Sequence, residues 1–381
     1  MIKPLSEVEL KESISDESVS HVFVIAPNYE ERSVGASELL DRLLIDNQMH
    51  ANVGVFQITL QSPRSMDVLD RIKAVNRNYS KDLLGNRVNF VSERVRKPMP
   101  EQTSIPLMTK IRKLCEATGR HVRLYLDVSA IPRTVLLKIL DTFLGDWKFP
   151  DGVMVGRHSV IESIAFIYTP ALSYPRTHDA DVLGAVRGRY TQSPLHEMVS
   201  SDKGRVDVSL CLSGTPHEVA QTLATLPITG GPSDGVILRP LVYITQNNFD
   251  LSYKKFGSNL WAIRELRDRS VSLAYTFGIS HVAETLDSHA QQAAMAHIDR
   301  LNRDPDDKSL FLIGGFGPKP VGLCAYLAKK RYDAILSQRG IMDQSDVLVM
   351  DGSQYTSIYS VGKGIAQMYV IDVERVLANP T

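Results

Sequence analysis

Short apolar runs rich in Val, Ile, Leu and Phe recur along the whole chain, and stretches with the apolar spacing of a helix separate them. This alternation constrains the fold more than any other feature. Strands joined through helices cannot close by a tight turn and must pair in parallel, so the chain is expected to build α/β layers around a mainly parallel sheet. In the first half, HVFVIAP, VGVFQITL, RVNFV and VRLYLDV read as strands. Helical spacing runs over Ser33 to Leu44, Ser65 to Asn78, Pro106 to Ala117 and Thr134 to Phe143. GVMVG and SIAFIYTP predict a hairpin or two further strands.

From Tyr174 to Arg205 the rhythm stops, and Pro, Gly, His, Asp and Arg collect. It then resumes with VDVSLCL, RPLVYITQ, VSLAYTF, SLFLIGG and DVLVMDG as strands, and with helices over Val282 to Asn302 and Val321 to Arg331. The pattern predicts two diverged Rossmann-like halves, each a mainly parallel sheet flanked by helices. The expected boundaries are a polar N-terminal segment over 1–20, a first domain over 21–175, a linker over 176–205 and a second domain over 206–381. Pro132 and Pro318 lie 186 positions apart (318 − 132), and each precedes a basic residue, Arg133 or Lys319. The same offset carries Val22 to Val208 and brings YTPALSY close to YTSIYSVG, which points to an internal duplication.

Lys+Arg and Asp+Glu are 43 each, so no basic excess favours duplex nucleic acid or an anionic membrane. No apolar run is long enough to suggest a transmembrane helix, and the polar, acidic N-terminus lacks the order of a secretory signal; a cytoplasmic protein is expected. Cys115, Cys211 and Cys324 are too scattered for a disulfide framework or a structural zinc site. HEMVS and HEVAQ lack the second histidine of a zinc-peptidase helix, and His281, His289 and His297 recur at eight-residue spacing, which does not converge on one metal. GGFGPKP fails the dinucleotide spacing, and no cofactor is expected.

Chemistry concentrates where strands end. In a parallel sheet the loops after the strands and the following helix N-termini line one crevice that favours anions. APNYEERS places Asn28, Glu30, Glu31 and Arg32 there, where a carboxylate can hold a ribose hydroxyl or act as acid or base. LDVSAIPR places Asp127, Ser129 and Arg133 at the same edge; a carboxylate at the end of so apolar a strand calls for a partner such as Arg133 or Arg32. In the second half, Gly314, Gly315 and Lys319 of IGGFGPKP suit a phosphate turn. Tyr168, Tyr174, Tyr355 and Tyr359 sit in late segments where they can stack on a base or fill the core, and Lys363 between two glycines would add a positive charge beside the second site.

The loop in VFVIAPNYEERS, the second loop in LDVSAIPR and the GGFGPKP turn together resemble the ligand-binding layout of CRISPR-associated Rossmann-fold sensor domains and related bacterial anti-phage defence proteins. The resemblance implies a nucleotide or short oligonucleotide held by Asn28 to Arg32, by Ser129 to Arg133 and, in the repeat, by Gly314 to Lys319, with a protein partner in a defence assembly. LDVSAIPR has no Gly-Gly, and no nuclease domain is expected after the second half, both departures from that pattern. Two other classes stay open from the residues alone: a nucleotide glycosidase or transferase using Glu30 or Glu31, and a non-catalytic scaffold.

Overall fold

The computed structural model describes residues 1–28, 30–44, 50–61, 67–96, 108–113, 116, 118–131, 133–144, 147–148, 154–155, 160–172, 205–214, 216, 219–220, 236–244, 249–265, 273–307, 309–341, 345–348 and 362–377. The expected linker lies almost wholly outside them, as do Cys115, Pro132, Tyr174, Tyr355 and Tyr359. In chain order the elements begin with β1 (Ile2–Leu5), α1 (Glu7–Ile14), β2 (Ser20–Ile25), a 3-10 turn (Glu31–Val34), α2 (Gly35–Leu43), β3 (Val53–Gln61), α3 (Asp67–Leu84) and β4 (Asn89–Arg96). They continue with β5 (Val122–Asp127), α4 (Arg133–Leu144), β6 (Trp147–Lys148), β7 (Met154–Val155) and β8 (Ile161–Tyr168). The later part has β9 (Arg205–Cys211), β10 (Val236–Ile244), α5 (Phe249–Glu265), β11 (Ala274–Phe277), α6 (Ile279–Leu301) and β12 (Ser309–Gly314). It ends with α7 (Lys319–Ser337), β13 (Ser345–Leu348), β14 (Gln367–Ile371) and α8 (Val373–Leu377).

The fold is α/β, with two Rossmann-like halves. One compact unit comprises Lys3–His178 with Tyr355–Val373; the other comprises Met1–Ile2, Asp179–Gln354 and Glu374–Thr381. The chain therefore does not stay in the second half to its end, as the 206–381 boundary expects. β14 joins the first sheet, antiparallel to β8, with Gln367 opposite Tyr168 and Ile371 opposite Ile164. The N-terminal 20 residues are likewise structured. Ser6 caps α1 and Glu9 reaches back to the Ser6 backbone N–H, a reciprocal cap that fixes where the helix starts.

The first sheet has the order β1-β14-β8-β5-β2-β3-β4 and the second the order β11-β10-β9-β12-β13; the second is parallel throughout. Within the first, β2, β3, β4, β5 and β8 are also parallel. Taking those five strands by sequence, both sheets read third, second, first, fourth, fifth. Every residue of β2 is buried, as expected of a central strand covered on both faces. Of the hairpin or two further strands expected of GVMVG and SIAFIYTP, the described residues have two separate strands: Met154–Val155 pairs with β6, and β8 enters the main sheet beside β5. No helix among the described residues is long and apolar enough to cross a membrane.

The layers show how the halves correspond. In the first unit, Phe23, Ile25 and Tyr125 share a core with Leu39, Leu40 and Leu43 of α2 and Leu84 of α3, the helices that follow the first two strands of the common order. In the second, Val208, Leu210 and Leu312 share a core with Val219 and with Ala262 of α5, which occupy the same positions after β9 and β10. Neighbours on a strand point to opposite faces. Val22 thus faces away from α2, whereas Val208 faces the equivalent layer. The 186-residue offset holds at the starts of α4 and α7, Arg133 and Lys319, but slips by an odd number of residues in the strands.

Candidate functional site

In the common strand order the chain leaves the first strand toward one side and returns to place the fourth on the other. In open α/β sheets the loops after those two strands diverge, and the carboxy edge between them is where ligands are generally taken. For the first sheet this switch point lies between β2 and β5, bringing the loop that holds Asn28 to Arg32 and the loop that holds Asp127 to Arg133 to the same edge.

The β2 loop is pinned by its backbone. Asn28 N–H donates to Ser33 Oγ at 2.8 Å, and Ser33 Oγ donates back to the Asn28 carbonyl at 3.1 Å. That carbonyl also accepts from Asn76 Nδ2 of α3 at 2.6 Å. Glu30 and Arg32 are buried together, with Arg32 Nε donating to Glu30 Oε2 at 2.6 Å. Arg32 thus has Glu30 as a charge partner, and Glu31 is the exposed carboxylate of the loop.

On the other wall Asp127 and Ser129 are fully buried. Asp127 Oδ1 accepts from Ser129 N–H at 2.9 Å, shaping the turn, and Ser129 Oγ accepts from Thr169 N–H at 2.8 Å. The latter bond ties the β5 loop to the end of β8. Arg133 is the half-buried first residue of α4. Arg133 thus stands at a helix N-terminus, where the dipole and the guanidinium together favour an anionic oxygen.

The second switch point is built differently. A Cβ on Gly314 would come within 2.7 Å of Leu210 Cδ1, and one on Gly315 within 2.7 Å of Ala325 Cβ and 2.9 Å of Gly322 Cα. Close packing therefore explains both glycines, Gly314 against Leu210 of β9 and the Phe316 ring and Gly315 against α7. Phe316 is fully buried in the core with Leu210 and Leu212. Gly317 has φ +107, and its Cβ position lies 3.6 Å from the Ser213 carbonyl, so the β12 turn lies against the β9 loop. Asn259 of α5 fixes that loop by donating to the Leu212 and Gly214 carbonyls at 2.8 and 2.9 Å. Lys319, half-buried, begins α7.

Tyr168 is buried in β8; Tyr174 and Tyr359 lie outside the described residues. Lys363, expected near the second site, is in the first unit and pairs with Glu38 of α2, because the chain has already crossed back. Glu38 also accepts from the Tyr79 hydroxyl at 3.2 Å.

Sequence reasoning missed a buried polar cluster on the second sheet. Asp207 of β9 accepts from Arg239 of β10 at 3.1 Å and lies 3.7 Å from Arg300 of α6. Burial raises the Asp207 carboxyl pKa, an effect that the two arginines oppose. Ser209 Oγ bonds His289 Nδ1 at 2.8 Å, and His297 Nδ1 bonds the Tyr332 hydroxyl at 2.9 Å. Opposite charges inside neighbouring apolar strands, RVDVSLC and VILRPLVYI, were the available signal.

No protein-family model matches the chain, and no curated protein matches it. Among solved structures, one similar chain is a functionally unknown protein, PA1789, from Pseudomonas aeruginosa PAO1; it is 10% identical, with 90% of this chain and 95% of that one covered at a TM-score of 0.22.

Proposed function

We propose that the protein binds a nucleotide-type ligand at the carboxy edge of the first sheet and serves as a sensor or accessory subunit of a bacterial defence system, acting with a protein partner. The observation that carries the binding reading is the strand order. It puts the loop after β2 and the loop after β5 on the two sides of a switch point, where open α/β sheets take their ligands. Arg133 at the start of α4 is the group for a phosphate, and Glu31 is the carboxylate for a ribose hydroxyl. The defence role rests on the resemblance of the strand-end loops to those of sensor domains. We also infer that the two halves are copies of one ancestral unit, on the strength of their common strand order.

Calorimetry with mono-, di- and cyclic oligonucleotides tests the reading. Binding of at least one, weakened by Arg133→Ala, is the expected result. Tyr174→Ala and Tyr359→Ala should each cost about 1–3 kcal/mol if the rings stack on a base. No binding of any of these ligands to the folded protein would refute it, and turnover of NAD or a nucleoside abolished by Glu31→Gln would replace it with the enzyme.

A further inference from the structure

The second unit carries an open cleft of about 520 Å³ lined by Arg239, His281, Glu284, Ser288, His289 and Gln292, among others. Leu238 and Val242 face the core shared with α5, so Arg239, on the alternate side of β10, faces the other layer, where α6 lies. The cleft is therefore bounded by β10, β11 and the polar stripe of α6.

Its polar groups are held in set orientations. Arg239 Nε and Nη2 donate to Asp207 Oδ1 at 3.3 and 3.1 Å, and Nη1 donates to Gln292 Oε1 at 2.8 Å. A guanidinium has five N–H groups, so two remain. Gln292 passes the orientation on, donating from Nε2 to Ser288 Oγ at 3.0 Å, which leaves the Ser288 proton to be given elsewhere.

His289 is 7% exposed, and Ser209, its partner, is fully buried. Among the described residues Ser209 Oγ bonds only His289 Nδ1, and the tautomer in which this buried hydroxyl donates to Nδ1 carries the ring proton on Nε2. Burial, and next the Arg239 charge, push His289 down to about 4, so near neutral pH the ring is an uncharged donor. His281 Nδ1 accepts from the Phe277 N–H at 3.3 Å and likewise presents Nε2–H in its neutral form.

With Asp207 balancing the Arg239 charge from behind, the groups left to donate along the cleft are two guanidinium N–H groups, the imidazole N–H groups and the Ser288 hydroxyl, beside one lining carboxylate, that of the exposed Glu284. We infer that this cleft is a second ligand site, which takes a phosphate or carboxylate group carried on a small hydroxylated molecule. Arg239, His281 and His289 hold the anionic oxygens, and Glu284 accepts from a ligand hydroxyl. The volume falls in the range of small-molecule pockets, roughly 300–1,000 Å³.

The experiment is calorimetry on the full chain, paired with nitrogen NMR of the histidine rings. The probes are ribose 5-phosphate, malate and uncharged ribose. Ribose 5-phosphate or malate, whichever source of the anion the site prefers, should bind and shift Nε2 of His281 and His289, and ribose should do neither. His281→Ala should weaken binding about 2- to 10-fold and Arg239→Lys more than about 10-fold, the ranges for a neutral and a charge-assisted hydrogen bond. Arg239 is part of a buried ion pair, so melting temperature checks its variant, and His281→Ala, an exposed change, carries the test if Arg239→Lys fails to fold. Arg133→Ala, in the other unit, should leave this binding unchanged, which keeps the site separate from the nucleotide reading. The inference is overturned if neither anion binds at millimolar concentration, if neither ring shifts, or if His281→Ala binds as tightly as the parent.

Discussion

Acid should destabilise the second unit through its buried histidines. Burial first, then a neighbouring arginine, hold His289 and His297 at about 4 against an ordinary 6.5; the arginines are Arg239 and Arg300. A histidine with a lowered folded pKa stays neutral when folded and takes up a proton when unfolded. The stability it protects is complete above pH 6.5, falls as pH drops toward 4, and is fully lost below that. For these two values the loss works out to about 2 kcal/mol per histidine at pH 5 and about 3 kcal/mol below pH 4. Asp207 acts the other way: its carboxyl is raised by burial, so protonation in acid favours the folded state and offsets part of the loss. The clean measurement is therefore a difference. His297→Gln keeps a group able to bond the Tyr332 hydroxyl but has no proton to gain. Urea unfolding of both proteins near pH 7.5 and again near pH 5 should show the variant gaining on the parent by about 2 kcal/mol. Parallel stability curves for parent and variant across that window would show that the ring is not held neutral by its site.

Two further substitutions test the packing and the crevice. Gly315→Ala would push a methyl to within 2.7 Å of Ala325 and 2.9 Å of Gly322; with backbone on one side it should cost about 1–3 kcal/mol by thermal unfolding, and an unchanged melting temperature would mean that α7 can move away from the sheet. Arg32→Ala would leave Glu30 buried without its guanidinium and should cost about 3–5 kcal/mol, whereas Arg32→Ala with Glu30→Ala should recover much of it; equal losses in the single and double variants would refute the pairing.

The central strands were legible as short runs dominated by apolar residues; β2, β3, β5, β9 and β12 all lie where such runs predict. β14 was not. QMYVI is a five-residue strand, only partly buried, whose partner Ile161–Tyr168 is about 200 residues earlier in sequence, and no local pattern carries that pairing. Lys363 was misplaced for the same reason. The N-terminal helix, by contrast, had its signal in plain view: Ser6 and Glu9 stand at the spacing of a reciprocal cap. At the crevice, residue types and chain positions were readable, but commitments were not. Glu30 reads like any loop carboxylate until Arg32 is seen 2.6 Å away, and Ser129 reads like a helix cap until its bond to Thr169 is seen.

The slip in the 186-residue offset shows what a sequence alignment of two such halves can and cannot carry. Helix starts tolerate a fixed offset because a proline and a basic residue mark them, whatever the strand before them does. A strand does not, since one residue of slip exchanges its two faces. The halves thus share a strand order while placing polar groups differently. The first sheet buries Asp127 and Ser129 at the carboxy end of its switch point. The second fills that point with Phe316 and close-packed glycines, and sets Asp207, Ser209 and Arg239 on a sheet face instead. A common architecture therefore gives no reason to expect common chemistry in the two halves. A ligand that depends on Arg133 and one that depends on Arg239 should prove independent, each losing affinity only when its own unit is changed.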